Sequence, residues 1–380
     1  MPFLRRKGGR GSRIGRGGGM ILETSRSGFH GALKAVQTCV AKKATIPILS
    51  HVLLEGTNGQ LTVKSSDLDC EVSAQVPAEV CEGESIAVDA GLLLNIASQC
   101  NGEKISLKDA GGKAKVCCGK SSFWLPCLPG HQFPYIGFSP GEEKAEYEIS
   151  GRAFCDAIAE VSYAIDPDSL RVYYVGLHVH ATDGKWFCVA ADGSRFARVP
   201  FSAPPGGETL APFILPQKSA AIIGRLFAGS EAIQLRIDSR KACFTGSGVQ
   251  VVTKLVEAVF PDYTKVLASE SPYTVNVQKA DLAGAVLRAA PFAVKAPLRF
   301  TFGVDRMQLS VASQTGEILD EIASDGEVPF QLMVEHKYMS DAIAKLQDGL
   351  ITFFITTRAA SVHIRDSRDD VLHLVMPRVA

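Results

Sequence analysis

The chain has 380 residues, 46% of them hydrophobic, and its 40 Lys and Arg are balanced by 40 Asp and Glu. This length and composition predict two to four folded domains and exclude an intrinsically disordered chain. Six basic residues lie before Met20, so the rest of the chain carries 34 basic and 40 acidic side chains, a net charge of −6. Because a protein that wraps nucleic acid with its whole surface would be strongly basic, any nucleic-acid contact must be confined to one face.

The ten cysteines include no C-x-x-C pair and no ligand spacing with histidine. We therefore expect reduced thiols in a cytosolic protein, and neither a metal nor a cofactor. No apolar run approaches the roughly 20 residues that a membrane span requires. The basic leader also lacks the apolar segment of a signal peptide, so we expect the chain to be neither secreted nor anchored.

Residues 1–19 are rich in Gly and Arg and show no hydrophobic periodicity, a composition typical of disorder. They are either a basic tail that adds phosphate affinity or sequence upstream of a natural start at Met20. We favour the second interpretation. The glycines are not a dinucleotide-binding fingerprint, because no strand precedes them.

A hydrophobic pattern occurs three times after this leader. Each copy begins with a short strand and continues with apolar residues at spacings of 4, 3 and 4, which is the stripe of an amphipathic helix. The stripes are Phe29, Leu33, Val36 and Val40; Phe154, Ile158, Val161 and Ile165; and Leu282, Val286, Ala289 and Ala293. Their first residues lie 125 and 128 positions apart, and a period this long indicates duplicated domains rather than a solenoid.

Each copy also has a second half, in which another helix is followed by alternating strands. These helices are expected near 90–100, 218–227 and 337–346. Two helices per copy with hairpin-connected strands predict an α+β fold, with antiparallel sheets covered by helices on one face. Polar stretches at 139–144 and 269–272 place the domains at 20–144, 145–268 and 269–380.

Residues 171–201 predict a strand meander with turns at Thr182-Asp183-Gly184 and at Asp192-Gly193. The ends of this meander present aromatic rings beside guanidinium groups, without an acid, base and nucleophile set. That composition favours a peptide-binding surface. An ordinary hairpin with an extended Arg is the alternative interpretation of the same residues.

Five motifs in this chain resemble the β sliding clamp family, the β subunit of bacterial DNA polymerase III. They are TIPIL at 45–49, SSDLDCEV at 65–72, ADGSRFA at 191–197, FPDYTKVL at 260–267 and LVMP at 374–377. The resemblance covers residues 20–380, and its most specific part is the separation of FPDY from VMP. It implies a DNA-clamp fold of three repeated domains that closes as a head-to-tail homodimeric ring around duplex DNA.

The resemblance also implies the partners. A non-catalytic processivity subunit would tether the polymerase III catalytic subunit, and it would bind the clamp loader and other proteins that carry a clamp-binding motif. It would work in the bacterial cytoplasm, associated with the nucleoid. Because such a ring holds DNA by topology, its contacts with DNA should be few, dependent on salt and independent of sequence.

By this resemblance, scattered basic residues on the helices and one loop would face DNA. They are Lys34, Lys42, Lys43, Arg152, Lys218, Arg225, Lys279, Arg288, Lys337 and Lys345. For each of them taken singly, a solvated helix face is an equally good interpretation.

The resemblance also implies a partner cleft between the second and third domains. Its residues would be Arg171, Tyr173, Tyr174, Gly193, Ser194, Arg195, Phe196, Pro261, Lys265, Val266, Ser361, Val362, Val375, Met376, Pro377 and Arg378. We expect the apolar side chains to take a partner's apolar anchors, and Arg171 or Arg195 to meet its polar end. Ser194 and Tyr174 depart from the family's usual His and aliphatic residue, and so does the ending Arg378-Val379-Ala380.

Ring closure in the family joins the first domain of one chain to the third domain of the other. The matching positions here are Phe123 and Leu125 on an edge strand, and Pro291 and Phe292 after a helix. Residues 290–300 depart most from the family pattern. A divergent accessory clamp, or a monomeric clamp-like binding protein, is therefore the alternative to a replicative clamp, and the mass in solution would separate the last of these.

Enzyme classes find little support in the sequence. It has no Gly-x-Ser-x-Gly elbow, no phosphate loop and no carboxylate cluster spaced for metal. His178 and His180 would share one strand face, but the sequence shows no third ligand for a metal.

Overall fold

The computed structural model describes residues 21–41, 46–81, 83–138, 141, 143–208, 210–267, 271–314, 316–368 and 370–378. The leader 1–19 and the loop lysines Lys42 and Lys43 lie outside these residues. The chain divides into two compact units. Unit 1 ends at Gly137 and includes 248–251, and unit 2 comprises 138–247 and 252–380.

Unit 1 contains two helices packed on antiparallel strands. Its elements are β1 (Ile21–Ser25), α1 (Arg26–Val36), β2 (His51–Thr57), β3 (Gln60–Ser66), β4 (Cys70–Cys81), β5 (Ile86–Asp89), α2 (Ala90–Gln99), β6 (Lys104–Asp109), β7 (Lys113–Cys118) and β8 (Ser121–Pro129). The strands pair in the order β1-β6-β7-β8-β5-β2-β3-β4, and the end of β4 pairs back with β1. The eight strands therefore form a closed circuit.

The helices of unit 1 begin where a polar side chain can cap them. Ser25 Oγ accepts a hydrogen bond from Gly28 N at 3.1 Å, and Asp89 Oδ1 accepts one from Leu92 N at 2.8 Å. Each bond satisfies a backbone donor that a helix start leaves free. Phe29 and Leu33 of α1 and Leu93 of α2 are fully buried, so the apolar stripe of each helix supplies the core.

Unit 2 repeats this pattern twice. Its first half contains β9 (Ala145–Ile149), α3 (Gly151–Val161), β10 (Gly176–Thr182), β11 (Lys185–Ala191), β12 (Arg195–Ser202), β13 (Phe213–Pro216), α4 (Gln217–Leu226), β14 (Ile233–Ile237), β15 (Lys241–Gly246), the end of β16 (Val249–Lys254), whose first three residues belong to unit 1, and α5 (Thr264–Leu267). Its second half contains β17 (Tyr273–Gln278), α6 (Lys279–Ala289), β18 (Leu298–Phe302), β19 (Arg306–Ser313), β20 (Gly316–Asp325), β21 (Val328–Val334), α7 (His336–Ile343), β22 (Leu350–Ile355), β23 (Val362–Arg365) and β24 (Leu372–Val375).

One twelve-stranded antiparallel sheet runs through unit 2. Its order is β13-β10-β11-β12-β24-β23-β22-β17-β20-β19-β18-β21. The β12–β24 pairing, in which Arg195 lies opposite Val375, joins the second and third predicted domains. This junction matters for function because β12 and β24 are the strands that carry ADGSRFA and LVMP.

The structure confirms the predicted α+β class, the antiparallel sheets and the repeated pair of helices. The predicted apolar stripes extend one turn past the helices, because Val40, Ile165 and Ala293 lie beyond the ends of α1, α3 and α6. Ala293 is still buried, since a chain that leaves a helix can continue to cover the same core. The domain boundaries at 144/145 and 268/269 stay a prediction.

The state of the cysteines and the length and apolar character of the helices are known for the described ranges. Nine of the ten cysteines have described side chains, and these nine are free thiols. Cys118 is buried and Cys117 is not, as expected for neighbours on a strand. No helix in this part of the chain is long and apolar enough to span a membrane.

Candidate binding cleft

An apolar cavity of about 500 Å³ opens in unit 2 where β12 and β24 meet. It is lined by Tyr174, Ala191, Gly193, Ser194, Arg195, Phe196, Phe260, Pro261, Asp262, Tyr263, Lys265, Val266, Thr356, Ala360, Ser361, Leu374 and Met376. We call it the cleft. It contains no arrangement of acid, base and nucleophile, so its shape and apolar lining suit binding rather than catalysis.

The floor of the cleft is a small hydrophobic core. Phe187, Val189, Ala191, Phe196, Leu372 and Leu374 are buried there, and Tyr174, Phe260, Tyr263, Leu267 and Met376 pack on them half-buried. A floor built from rigid strands with flexible Met376 above it can accept apolar side chains of several shapes.

The turn between β11 and β12 forms one wall and is held by a single carboxylate. Asp192 Oδ1 accepts hydrogen bonds from Ser194 N and Arg195 N, both at 2.7 Å. Gly193 has φ +91°, a conformation that side-chain-bearing residues rarely adopt. Met376 N donates to Ser194 O at 2.8 Å, so the turn also fixes the end of β24.

Phe260 and Tyr263 form another wall of the cleft, and two histidines pack behind these rings. The His178 ring stacks on Phe260 with centroids 4.6 Å apart and 4° between planes, and His180 Nε2 is hydrogen-bonded to the Tyr263 hydroxyl at 2.5 Å. Burial, with a smaller contribution from His180, lowers the pKa of His178 to about 4. Burial also lowers the pKa of His180 and raises that of Tyr263. The wall is therefore uncharged at neutral pH.

Arg195 corrects a prediction from the sequence. We expected it to meet a partner's polar end, but its side chain is only 8% exposed and its guanidinium is fully engaged inside the protein. It forms ion pairs with Asp192 (2.8 Å) and with Asp341 of α7 (2.7 Å), and it lies over the rings of Tyr338 and Tyr163. Arg195 thus ties the turn at the cleft to the third predicted domain.

A second polar network continues behind Arg195. Tyr163, whose pKa is raised by burial, has its hydroxyl 3.0 Å from His373 Nδ1, and His373 Nε2 lies 3.4 Å from Glu160 Oε1. Arg368 bridges Glu160 and Asp366, each at 2.6 Å. Burial alone would raise the pKa of Glu160, but the hydrogen bonds from His373 and Arg368 outweigh it and lower that pKa. The network joins α3 to the strands of the third predicted domain.

The structure brings together ten of the sixteen cleft residues implied by the resemblance. The other six lie around the cavity or beneath it. Arg171 Nη1 lies 4.0 Å from the position that a Cβ on Gly193 would occupy, and Tyr173 packs edge-on against Tyr174. Val362 and Val375 instead belong to the core of the third predicted domain. Pro377 is buried, and Arg378 pairs with Glu335 at 3.3 Å.

Seven cavity-lining residues were missed. They are Ala191, Phe260, Asp262, Tyr263, Thr356, Ala360 and Leu374. Five of them lie inside the quoted motifs: Ala191 in ADGSRFA, Phe260, Asp262 and Tyr263 in FPDYTKVL, and Leu374 in LVMP. The motifs were therefore a usable signal for five residues, whereas nothing in the sequence pointed to the loop that carries Thr356 and Ala360.

The residues expected to face DNA fall into two groups. Lys34, Arg152, Lys218 and Arg225 are exposed on α1, α3 and α4. Arg288 and Lys337 are exposed as well, whereas Lys279 and Lys345 are partly buried by contacts with other protein groups. Lys337 pairs with Asp341 at 3.6 Å.

Lys279 and Lys345 depart from the expectation of open helix cations, whereas Arg288 remains exposed beside its ion pair. Lys279 is 18% exposed, and its Nζ donates to Leu346 O at 2.6 Å and pairs with an Asp348 oxygen at 2.9 Å. Arg288 pairs with Asp320 at 2.6 Å, and Lys345 Nζ donates to Ala159 O at 2.9 Å.

The residues expected at the ring-closing contact differ in how far they are exposed. Phe123 is half-buried and lines a cavity of about 610 Å³ in unit 1, and Pro291 is exposed. Phe292 is half-buried against the core of the third predicted domain. Leu125 is a correction, because it is 8% exposed and packs inside unit 1. Leu125 lies on the same face of β8 as half-buried Phe123, and Trp124 between them points to the opposite, exposed face.

No group of three or more His, Cys, Asp or Glu side chains in the described residues could hold a metal ion. His178 and His180 do lie on one strand face, with ring centroids 5.1 Å apart, but aromatic neighbours occupy their surroundings. Their role in the structure is to support the wall of the cleft.

Comparison with known proteins identifies the family. The model for the N-terminal domain of the DNA polymerase III β subunit matches residues 20–137, and the model for its central domain matches residues 148–262. Together the two matches cover more than half of the chain.

Full-length relatives agree with these matches. The chain is 27% identical over 372 residues to the β sliding clamp of Caulobacter vibrioides, covering 94% of this chain and 99% of that protein. It is 26% identical over 367 residues to the β sliding clamp of Pseudomonas putida, covering 94% and 99%.

Solved structures show the same fold. The DNA polymerase sliding clamp from Caulobacter crescentus superposes with a TM-score of 0.90 at 26% identity, covering 95% of this chain and all of that one. A sliding clamp from Bartonella birtlesii, solved bound to griselimycin, gives a TM-score of 0.89 at 26% identity with the same coverage. The chain therefore belongs to the DNA polymerase III β subunit family, the β sliding clamps.

Proposed function

We propose that this chain is a processivity factor that closes as a homodimeric ring around duplex DNA and holds the replicative polymerase through the cleft. The observation that carries the proposal is the preformed apolar cleft, without catalytic groups, in a chain of this family. A tether needs a surface that binds partners and releases them unchanged, and the cleft has that character.

The cleft suits an extended peptide with two or three large apolar side chains. Phe196, Leu374 and Met376 offer an apolar floor, and Tyr174 and Phe260 offer ring faces at its side. The partners we propose are the polymerase III catalytic subunit, the clamp loader and other proteins that carry such a peptide. Several partners would then use one site in turn.

Two open strand edges support ring closure. In the described residues, 121–126 of β8 pair with β7 alone, and 316–323 of β20 pair with β19 alone. An unpaired edge offers backbone hydrogen bonds to another strand, so the β8 edge of one chain can accept the β20 edge of a second chain.

The side chains at these edges are complementary. The β8 side presents Trp124, 57% exposed, with the Lys115 ammonium 5.2 Å from its ring centroid. The β20 side presents Leu319, 64% exposed, between exposed Glu317 and Glu321. An aromatic ring beside a cation on one edge, and an aliphatic group between carboxylates on the other, favour a heterologous contact between two copies.

DNA contacts in this proposal come from exposed helix cations. Lys34, Arg152, Lys218 and Arg225 would approach phosphates without reading bases, so binding would weaken with salt and not depend on sequence. We place the ring in the bacterial cytoplasm, on the nucleoid. The three domains at 20–144, 145–268 and 269–380 would form its repeating segments.

Solution mass tests the ring directly. One chain has a mass of 40.6 kDa, so sedimentation equilibrium should give twice that value at micromolar concentration. A single-chain mass at every concentration up to tens of micromolar would favour the monomeric clamp-like alternative and would contradict the proposal.

A further inference from the structure

The rim of the cleft carries exposed cations, and their arrangement indicates what kind of peptide the cleft prefers. We propose that the cleft selects partner segments whose apolar anchors are flanked by carboxylates, with Lys265 and Arg358 recognising one flank and Arg171 the other. This inference rests on the proposed function, because it names the chemistry of the partner that the same cleft would bind.

The three cations lie on separate segments around the cavity. Lys265 belongs to α5 and lines the cavity itself. Arg171 lies beside Gly193, which also lines it. Arg358 is exposed at the tip of the loop whose ends, Thr356 and Ala360, line the cavity.

Over the described ranges, none of Arg171, Lys265 and Arg358 forms an ion pair, and all three are exposed. Other cations near the cleft are already neutralised. Arg195 is buried between Asp192 and Asp341, and Arg378 pairs with Glu335. The positive charge available to a partner is therefore at the rim.

One carboxylate also lines the cavity and has to be weighed against this charge. Asp262 Oδ1 accepts hydrogen bonds from Thr264 N at 3.0 Å and Thr264 Oγ1 at 2.6 Å, and these bonds lower its pKa. Asp262 is therefore ionised at neutral pH, three positions before Lys265. It offsets charge on Lys265, which itself helps to lower the pKa of Asp262. Asp262 is the one carboxylate among the described residues that line the cavity, so Arg171 and Arg358 leave the rim positive.

The shape of the site favours a peptide over nucleic acid. A single strand of DNA is bound along a continuous basic groove in which bases stack on aromatic faces. Here the cations stand apart around an apolar cavity, and no row of them follows a path across it. A peptide whose apolar anchor enters the cavity and whose flanking residues are acidic would complement both the cavity and the cations at its rim.

Two labelled peptides would test the inference. Both contain one Gln and three large apolar residues; one is flanked on each side by two Asp, and the other by two Asn. Each exposed ion pair contributes a small factor, so we expect the Asp peptide to bind wild type about tenfold more tightly at low salt. The difference should shrink as salt screens the rim.

Single variants assign the effect to residues. Lys265→Gln and Arg358→Gln should each weaken binding of the Asp peptide about threefold and leave the Asn peptide unchanged. Asp262→Asn keeps a side chain that can cap α5, and it should tighten the Asp peptide about threefold. Arg299→Gln removes an exposed cation on β18 away from the cleft and should change neither affinity.

The outcomes separate this inference from the proposed function. Equal affinity of the two peptides for wild type, or equal losses for both in the variants, would overturn the rim while the cleft function stands. Displacement of the Asp peptide by an equal concentration of oligo-dT would assign the rim to nucleic acid and overturn the peptide proposal. If neither peptide binds at all, the proposed cleft function fails, and this inference fails with it.

Discussion

The cleft and the strand edges, which we propose as the two surfaces for other molecules, are built differently. The cleft is a concave apolar site whose walls are fixed from behind by buried ion pairs and hydrogen bonds. The edges of β8 and β20 offer unpaired backbone groups, with the Lys115 ammonium beside Trp124 at one edge and exposed carboxylates at the other. The cleft suits short peptides from many partners, whereas each edge suits a single large partner that has a strand able to pair with it.

This difference predicts where substitutions act. Substitution of the groups behind the cleft should lower the free energy of unfolding, because these supporting groups are buried. Damage at an edge should leave each chain folded and weaken only the association of two copies. Damage at the cleft's own surface should change peptide affinity alone.

The largest effect is expected from Arg195→Ala. The substitution leaves Asp192 and Asp341 without their buried cation, so the free energy of unfolding should fall by about 3–5 kcal/mol. Arg306→Ala is the matched control, since Arg306 also pairs with two carboxylates, Asp305 and Glu321, but is 56% exposed. It should change the free energy of unfolding far less, because ion pairs in contact with water contribute little. Urea unfolding measures both, and similar losses would show that Arg195 has no special supporting role.

The histidine behind the cleft should make stability depend on pH. The pKa of His178 is about 4 in the folded chain and near 6.5 when unfolded. Between these two pKa values the unfolded state binds a proton at His178 and the folded state does not. The contribution of neutral His178 to the free energy of unfolding is therefore complete above pH 6.5 and is lost as pH falls toward 4.

The test compares wild type with His178→Phe, which preserves stacking on Phe260 and cannot titrate. Between pH 7 and 4.5, wild type should lose about 2 kcal/mol more than the variant. His131→Gln, on an exposed turn of unit 1, is the control and should follow wild type. Parallel pH curves for wild type and His178→Phe would refute the assignment.

At the edges, Phe123→Asp should dissociate the proposed dimer. An Asp at this half-buried position replaces an apolar contact with a charge. It should weaken the association of two chains by on the order of 1–3 kcal/mol at each of the two contacts in a ring. Sedimentation should then find single chains at micromolar concentration, with an unchanged circular dichroism spectrum. A variant that still sediments as a tight dimer would show that ring closure does not use β8.

At the surface of the cleft, Met376→Ala should weaken peptide binding and nothing else. Losing a half-buried anchor should cost roughly 1–3 kcal/mol, or about 5- to 150-fold in affinity. Titration of a fluorescent apolar peptide measures this, and the mass in solution should stay that of wild type. Unchanged affinity would remove Met376 from the site.

The sequence predicted the repeat because helix stripes and strand alternation depend on local chemistry. Phe29, Phe154 and Leu282 are buried at the predicted positions, and the stripes failed only where the helices ended. Contacts between distant segments were not predictable. Arg195 and Asp341 are 146 positions apart, and so nothing local distinguished a buried Arg195 from a free one. The same limit explains Lys279, whose partners near 346–348 capture a charge that a helix pattern assigns to solvent.

The central claim is that a ring encircles DNA without reading it, and retention on closed DNA tests that most directly. Protein loaded by the clamp loader on a nicked circular plasmid should stay bound during gel filtration in moderate salt, and it should be released once a restriction enzyme linearises the plasmid. Phe123→Asp should not be retained on either form. Release from the intact circle, or retention on linear DNA with free ends, would contradict a topological tether.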